Sequence, residues 1–150
     1  MTSSDNISLM QRWYREVWRE RNDETIRELL APNARLWGQI APDQEITGPE
    51  GFIAFAQRIR EAFPDAEVVV EDAFAVNDKV AVRWTATGTH KGDGFGVPAT
   101  GKRIRIRGTT IARIVDGKVV EGWDNWDRLG MLEKIGAYTS PETVMLAKTA

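Results

Sequence analysis

The spacing of apolar residues changes period at Pro64 in this 150-residue chain. Up to Phe63 they recur every three or four positions, the period of a helix with one covered side. Ile7, Met10, Trp13, Val17 and Trp18 form one such set. Ile26, Leu29 and Leu30 form a second, after Asn22 or Asp23 as a helix cap and before a break at Pro32. A third helix is predicted from "GPEG" at 48–51, carrying Phe52, Phe55, Ile59 and Phe63 until Pro64 stops it. Beyond Pro64 the period is two. Segments 66–76, 79–90, 102–115 and 118–126 read as four strands, with "ND" at 77–78 and "DG" at 116–117 as tight turns. Residues 127–136 predict a short helix ending at Gly136, and the tail from Ser140 another. Helices grouped ahead of hairpin-linked strands predict an α+β fold, not an alternating one. No repeat or linker divides the chain, so 1–150 is read as one domain.

Alternation then assigns faces. Arg103, Arg105 and Arg107 share one face with Arg113, whereas Ile104, Ile106, Thr110, Ala112 and Ile114 share the other. The second face is the one to be covered. On the preceding strand Val80, Val82, Trp84 and Ala86 lie on the apolar face, which ends at the single histidine, His90. Glu121, Glu67 and Glu71 are expected to stand opposite the arginines, because unlike charges attract across strands. If Glu121 points out, Val120, Gly122, Asp124 and Trp126 point in, and Trp123, Asn125 and Asp127 point out. The two acids of "WDNWD" (123–127) therefore have different expectations. Asp127 precedes a helix and reads as its N-cap. Asp124 reads either as a buried structural acid or as a carboxyl whose aromatic surroundings, including Trp84 and Trp126, raise its pKa and suit it to proton transfer.

Charge and composition narrow the classes. The net charge is −2, with no long run of one sign, which argues against nucleic acid or an anionic membrane as partner. There is no cysteine, no apolar signal core and no apolar stretch of spanning length, so a soluble cytoplasmic protein is expected. One histidine and no cysteine predict no metal site. "GVPATGK" (96–102) begins like a phosphate-binding loop, but Arg103 stands where Ser or Thr should be and a strand follows, so phosphate is not expected there.

"GTHKGDGFGVPATGK" (88–102) and "VDGKVVEGWDNWDRLGMLEKIG" (115–136), with "AP" at 31–32 and "TGPEGF" at 47–52, resemble the SnoaL-like polyketide cyclase family of the nuclear-transport-factor-2-like superfamily. The resemblance spans a core of about 7–138 and leaves 139–150 as a tail. It implies a curved antiparallel sheet wrapped by helices into a cone around a deep apolar pocket, in a homodimer packed through the outer sheet face, where Trp123 and the arginine row lie. It implies no cofactor, and an intramolecular aldol condensation with one aspartate of the last strand as general acid/base, which aligns at Asp124. Around that acid the cyclase pattern is altered. A histidine of the adjacent strand is replaced by Thr110, a tyrosine of the first helix by Trp18, and an asparagine of the third helix by Phe55. His90 matches a histidine common in the wider family.

The expected site is thus Asp124 with Trp18, Phe55, Trp84, His90, Thr110 and Trp126 as substrate-binding residues. Two classes of function remain open: an acid/base enzyme of aldol-cyclase or isomerase/lyase type acting on a small, mostly apolar molecule, and a non-catalytic ligand-binding or dimerisation module. Epoxide hydrolysis is the weaker enzyme option, since the neighbouring strand interior (Ile104, Ile106, Gly108, Thr110) supplies neither the arginine nor the second acid it requires.

Overall fold

The computed structural model describes residues 2–41 and 43–149. Helix α1 (Ser3–Trp13) opens on a capping box, in which Thr2 and Asp5 satisfy each other's free amides. It continues without a break into a π-helical stretch, Tyr14–Arg19. Arg60 closes that stretch, donating to the Val17 carbonyl at 3.0 Å and to Asp23 at 2.7 Å. Asn22 caps α2 (Asp23–Leu29) by accepting from the Glu24 amide.

Two strands absent from the sequence expectation follow. Strand β1 (Leu30–Trp37) starts where α2 ends, and β2 (Glu45–Thr47) leads into α3 (Gly48–Ala62). Pro32 and Asn33 hide β1 in the sequence. They fall in an irregularity between Leu30 and Arg35, where proline need not donate to a neighbour. The remaining strands are those expected: β3 (Glu67–Val76), β4 (Lys79–Thr89), β5 (Arg103–Val115) and β6 (Lys118–Trp126). They form one curved six-stranded sheet in the order β2-β1-β6-β5-β4-β3. Every neighbouring pair is antiparallel except β1 with β6, which is parallel. That geometry is open to these two strands because α3 and the whole β3–β5 meander connect them.

The predicted faces hold through the middle of the sheet. Ile104, Ile106, Ala112, Ile114, Val80, Val82 and Trp84 are buried, and Arg103, Arg105 and Arg107 are exposed. Two bulges revise details. One on β3, between Val70 and Asp72, skips Glu71 and sets Asp72 opposite Arg83, whose Nε donates to it at 2.6 Å. Asp72 therefore takes the ion pair expected of Glu71, and Glu67 stands opposite Thr87 instead of an arginine. The other lies on β6, where Ile114 faces Val119 and Arg113 faces Glu121. Val119, not Val120, is thus the fully buried residue, and from Glu121 onward the strand keeps its expected phase. Glu121 accepts from Arg113 at 2.8 Å on the outer face.

Helix α1, its π extension and α3 pack on the inner face of the sheet, with Leu9, Met10, Trp13, Val17, Phe52 and Ala56 meeting Val80, Val82, Ala112 and Ile114. A second cluster joins Ala62, Phe63, Ile104 and Ile106 to Met131 and Ile135 around α4 (Arg128–Lys134). Asp127 caps α4, accepting from the Gly130 amide at 2.8 Å, as expected. Gly136, at φ 84°, ends the turn that follows. The tail forms α5 (Pro141–Thr149), which buries none of its side chains. Among the described residues no helix is long and apolar enough to cross a membrane.

Candidate active site

The inner face of the sheet and the helices over it form a cavity of about 120 Å³ that draws its walls from both core clusters. Asp124, Trp18, Phe55, Trp84, Thr110 and Trp126 all line it. His90 does not. It is fully buried behind the wall, its ring 5.6 Å from that of Phe63 and its Nδ1 paired with Thr100, so it ties down the 91–101 loop. Strand alternation carried His90 to the correct face, but β4 ends at Thr89, and beyond that end the chain leaves the pleat.

Asp124 sits opposite Thr110 in the β5–β6 register. The Thr110 hydroxyl donates to Asp124 Oδ1, and Gln39 Nε2 donates to Oδ2 at 2.9 Å. Thr110 is itself held from two sides, accepting from Tyr14 Oη at 2.7 Å and from Trp84 Nε1 at 3.0 Å. Among the described residues that line the cavity, Asp124 carries the only formal charge, and the rest of the wall is almost wholly apolar. Burial pushes the carboxyl up to about 6, against the hydrogen bonds from Thr110 and Gln39, which hold it down. Tyr14 is raised well above its ordinary value by burial and then by the charge of Asp124, so it keeps its proton.

Two glycines make the arrangement possible. A Cβ at Gly108 would strike the indole of Trp84, which lies across the β5 backbone so that its Nε1 reaches Thr110. A Cβ at Gly38, where φ is 88°, would strike the backbone carbonyl of Asp124. Trp126 fastens the same segment, donating to the carbonyls of Gly38 and Gln39 at 3.0 and 3.1 Å. The tryptophan pair of "WDNWD" is thereby separated: Trp126 fixes the wall of the site, and Trp123 stacks on Trp37 outside, their rings 5.8 Å apart.

The sequence reading missed Tyr14 and Gln39. Tyr14 carried a faint signal, one turn before Trp18 on an apolar helix side; the tyrosine position implied by the resemblance falls on Trp18, yet a helix-1 tyrosine still enters the site. Gln39 carried none, because it lies in a loop whose path depends on β1 and β6. Among the described residues no group of three or more His, Cys, Asp or Glu side chains is arranged to hold a metal ion.

Comparison with known proteins agrees with this fold. The family model of the SnoaL-like polyketide cyclases matches residues 8–135. The aklanonic acid methyl ester cyclase DauD of Streptomyces sp. (strain C5) is 28% identical over 141 residues, covering 93% of this chain and 87% of its own. A crystal structure from Jannaschia sp. CCS1, assigned as a SnoaL-like polyketide cyclase, superposes with a TM-score of 0.82 at 29% identity, over 91% of this chain and 95% of that one. AclR of Streptomyces galilaeus, assigned as a hydroxylase, superposes with a TM-score of 0.83 at 28% identity, over 99% and 92%. One scaffold thus hosts relatives with different assigned reactions. With its α+β cone and a family match across most of its length, this chain belongs to the SnoaL-like polyketide cyclase family.

Proposed function

We propose that the protein is a cofactor-free acid/base enzyme that closes a ring in a small, mostly apolar polyketide-like molecule by intramolecular aldol condensation. The observation that carries this reading is the single carboxyl in an apolar cavity, anchored by Thr110 and Gln39 and raised to about 6. A base of that strength is largely ionised at neutral pH and still returns a proton readily, which is what one residue needs in order to act first as base and then as acid. Asp124 takes a proton from a carbon next to a carbonyl. The carbanion attacks a second carbonyl of the same molecule, forming the ring C–C bond, and the resulting alkoxide recovers the proton. Tyr14, Trp84, Thr110 and Trp126 each give their polar hydrogen to a protein acceptor, and Gln39 Nε2 gives one of its two to Asp124. Charge developing on the carbanion is spread mainly over the substrate's own carbonyls, which favours polycarbonyl compounds with acidic C–H bonds.

The test is turnover of aklanonic acid methyl ester, the compound in the name of the Streptomyces relative, and of simpler aromatic polyketones. Ring closure and deuterium uptake from D2O at the α-carbon are read together. Asp124→Asn keeps the shape and should slow both by about 10²–10⁴-fold. Binding of these compounds with neither exchange nor closure by the parent protein would overturn the proposal in favour of a ligand-binding module.

A further inference from the structure

The two oxygens of Asp124 face partners of different capacity. A threonine hydroxyl has one hydrogen to give and two lone pairs to accept with. On Thr110 both lone pairs are taken, by Tyr14 Oη and Trp84 Nε1, so its hydrogen is committed to Asp124 Oδ1. Oδ1 is thereby held as an acceptor whether or not the carboxyl is ionised, and a proton gained by Asp124 belongs on Oδ2. There it meets Gln39 Nε2, itself a donor, at 2.9 Å. Two hydrogens would then oppose each other. Meanwhile Gln39 Oε1 is buried without a partner, in a residue only 3% exposed.

We infer that Gln39 is a positioning residue that carries Asp124 through both protonation states by turning its side-chain amide, presenting N–H to the carboxylate and C=O to the acid. The inference rests on the acid/base reading of Asp124 for its catalytic meaning. A half-turn about the last side-chain torsion, a broad and roughly two-fold rotation, is the only movement required. Either orientation leaves one end of the amide without a partner, so the surroundings do not select between them and the proton on Asp124 does. The backbone beneath stays fixed, because Trp126 holds the carbonyls of Gly38 and Gln39, and Gly38 lies tight against the Asp124 backbone. The other titratable group among the described residues lining the cavity is Tyr14, which stays protonated, and no lysine, arginine or histidine lines it. One proton, that of Asp124, therefore governs the amide.

The experiment is neutron diffraction from deuterium-exchanged, ligand-free crystals at pH values either side of the Asp124 midpoint, itself measured by carboxyl 13C NMR. Above the midpoint an amide deuteron should point at Oδ2. Below it the deuteron should sit on Oδ2, facing the Gln39 oxygen. The same amide orientation at both pH values, or a deuteron on Oδ1, overturns the inference. A solution measurement runs beside it. In Asp124→Asn, the Thr110 hydrogen keeps the new carbonyl oxygen at the Oδ1 position, so the amide nitrogen copies the protonated Oδ2. Near pH 4, where Asp124 is protonated in the folded state and little ionised in the unfolded one, its melting temperature should lie within about 2 °C of the parent, a difference of less than ~1 kcal/mol for a chain of this length. A drop of more than about 5 °C, the mark of two amide nitrogens set against each other, counts against the inference. Loss of turnover in Asp124→Asn with a fixed Gln39 amide would sink this inference alone. Retained turnover with a turning amide would sink the catalytic reading alone.

Discussion

At the scale of single residues, Thr110 is the junction on which the site depends. It joins a donor from the π-helical stretch and one from β4 to the carboxylate on β6. Thr110→Val keeps the outline but strands the Tyr14 hydroxyl, the Trp84 N–H and Asp124 Oδ1 together. Each unsatisfied buried group costs about 1–3 kcal/mol, so a loss of about 3 kcal/mol or more is expected in chemical denaturation. With the Thr110 hydrogen bond gone, the Asp124 midpoint should also rise. The raised carboxyl has its own signature. The folded pKa of about 6 lies above the ordinary 3.8, so between those values the folded state holds more proton than the unfolded one. Stability contributed by this group is therefore present below about pH 4, falls as pH rises towards 6, and stays lost above it. Asp124→Asn has no such term. Denaturation curves measured from pH 4 to 7 should show the variant gaining on the parent by up to about 3 kcal/mol, at 1.36 kcal/mol per pKa unit. Equal pH slopes for the two proteins would mean that the carboxyl is not raised.

At the scale of elements, the site is a product of register. Strands β5 and β6 set Thr110 against Asp124 and Gly108 against Trp126, and β4 sets Trp84 against Gly108. Alternation made Asp124, Trp84 and Thr110 legible as one face from sequence alone. It survived because the β6 bulge falls before Glu121, where it exchanges only Val119 and Val120. A bulge between Gly122 and Asp124 would have turned the carboxylate outward. Gly108→Ala tests the packing of this junction. The added methyl meets the Trp84 ring, and overpacking of this kind costs about 1–3 kcal/mol. The expected outcome is lower stability together with a shifted Asp124 midpoint by NMR, since Trp84 no longer reaches Thr110. A stable variant with an unmoved midpoint would show that the indole has room to adjust.

At the scale of the whole molecule, the outer sheet face carries a feature visible only once the strands are aligned. Trp37, Trp123, Ile111, Ala81 and Phe74 stand in one row across five strands. Phe74 is 63% exposed and Ile111 40%. Arg35 and Lys79 lie over the Trp37 and Trp123 rings, and the pairs Arg113–Glu121 and Arg83–Asp72 flank the row on either side. An apolar stripe with charged margins is suited to a second copy of itself across a two-fold axis. A homodimer through this row is the expected assembly, and Ile111→Lys should convert it to monomer in light scattering. A parent protein that scatters as a monomer at high micromolar concentration would refute the contact.

What the sequence determined by itself was whatever depends on local period and punctuation. The helices, the four long strands, a cap at Asn22 or Asp23, the Asp127 cap, and the inward phase of Asp124 and outward phase of Trp123 follow from spacing that neighbours in the chain impose on one another. Strand β1 was illegible because its pairing with β6 is parallel, remote and interrupted by Pro32. Asp72 took the ion pair expected of Glu71 because a one-residue bulge has no signature in the sequence. Gln39 and Tyr14 became part of the site only when β1 lay beside β6 and the first helix crossed the sheet. Hydrogen bonds between residues 85 and 96 positions apart in sequence are set by packing geometry, which no local pattern encodes. The sequence thus placed the acid, and the tertiary structure chose the partners that hold its proton.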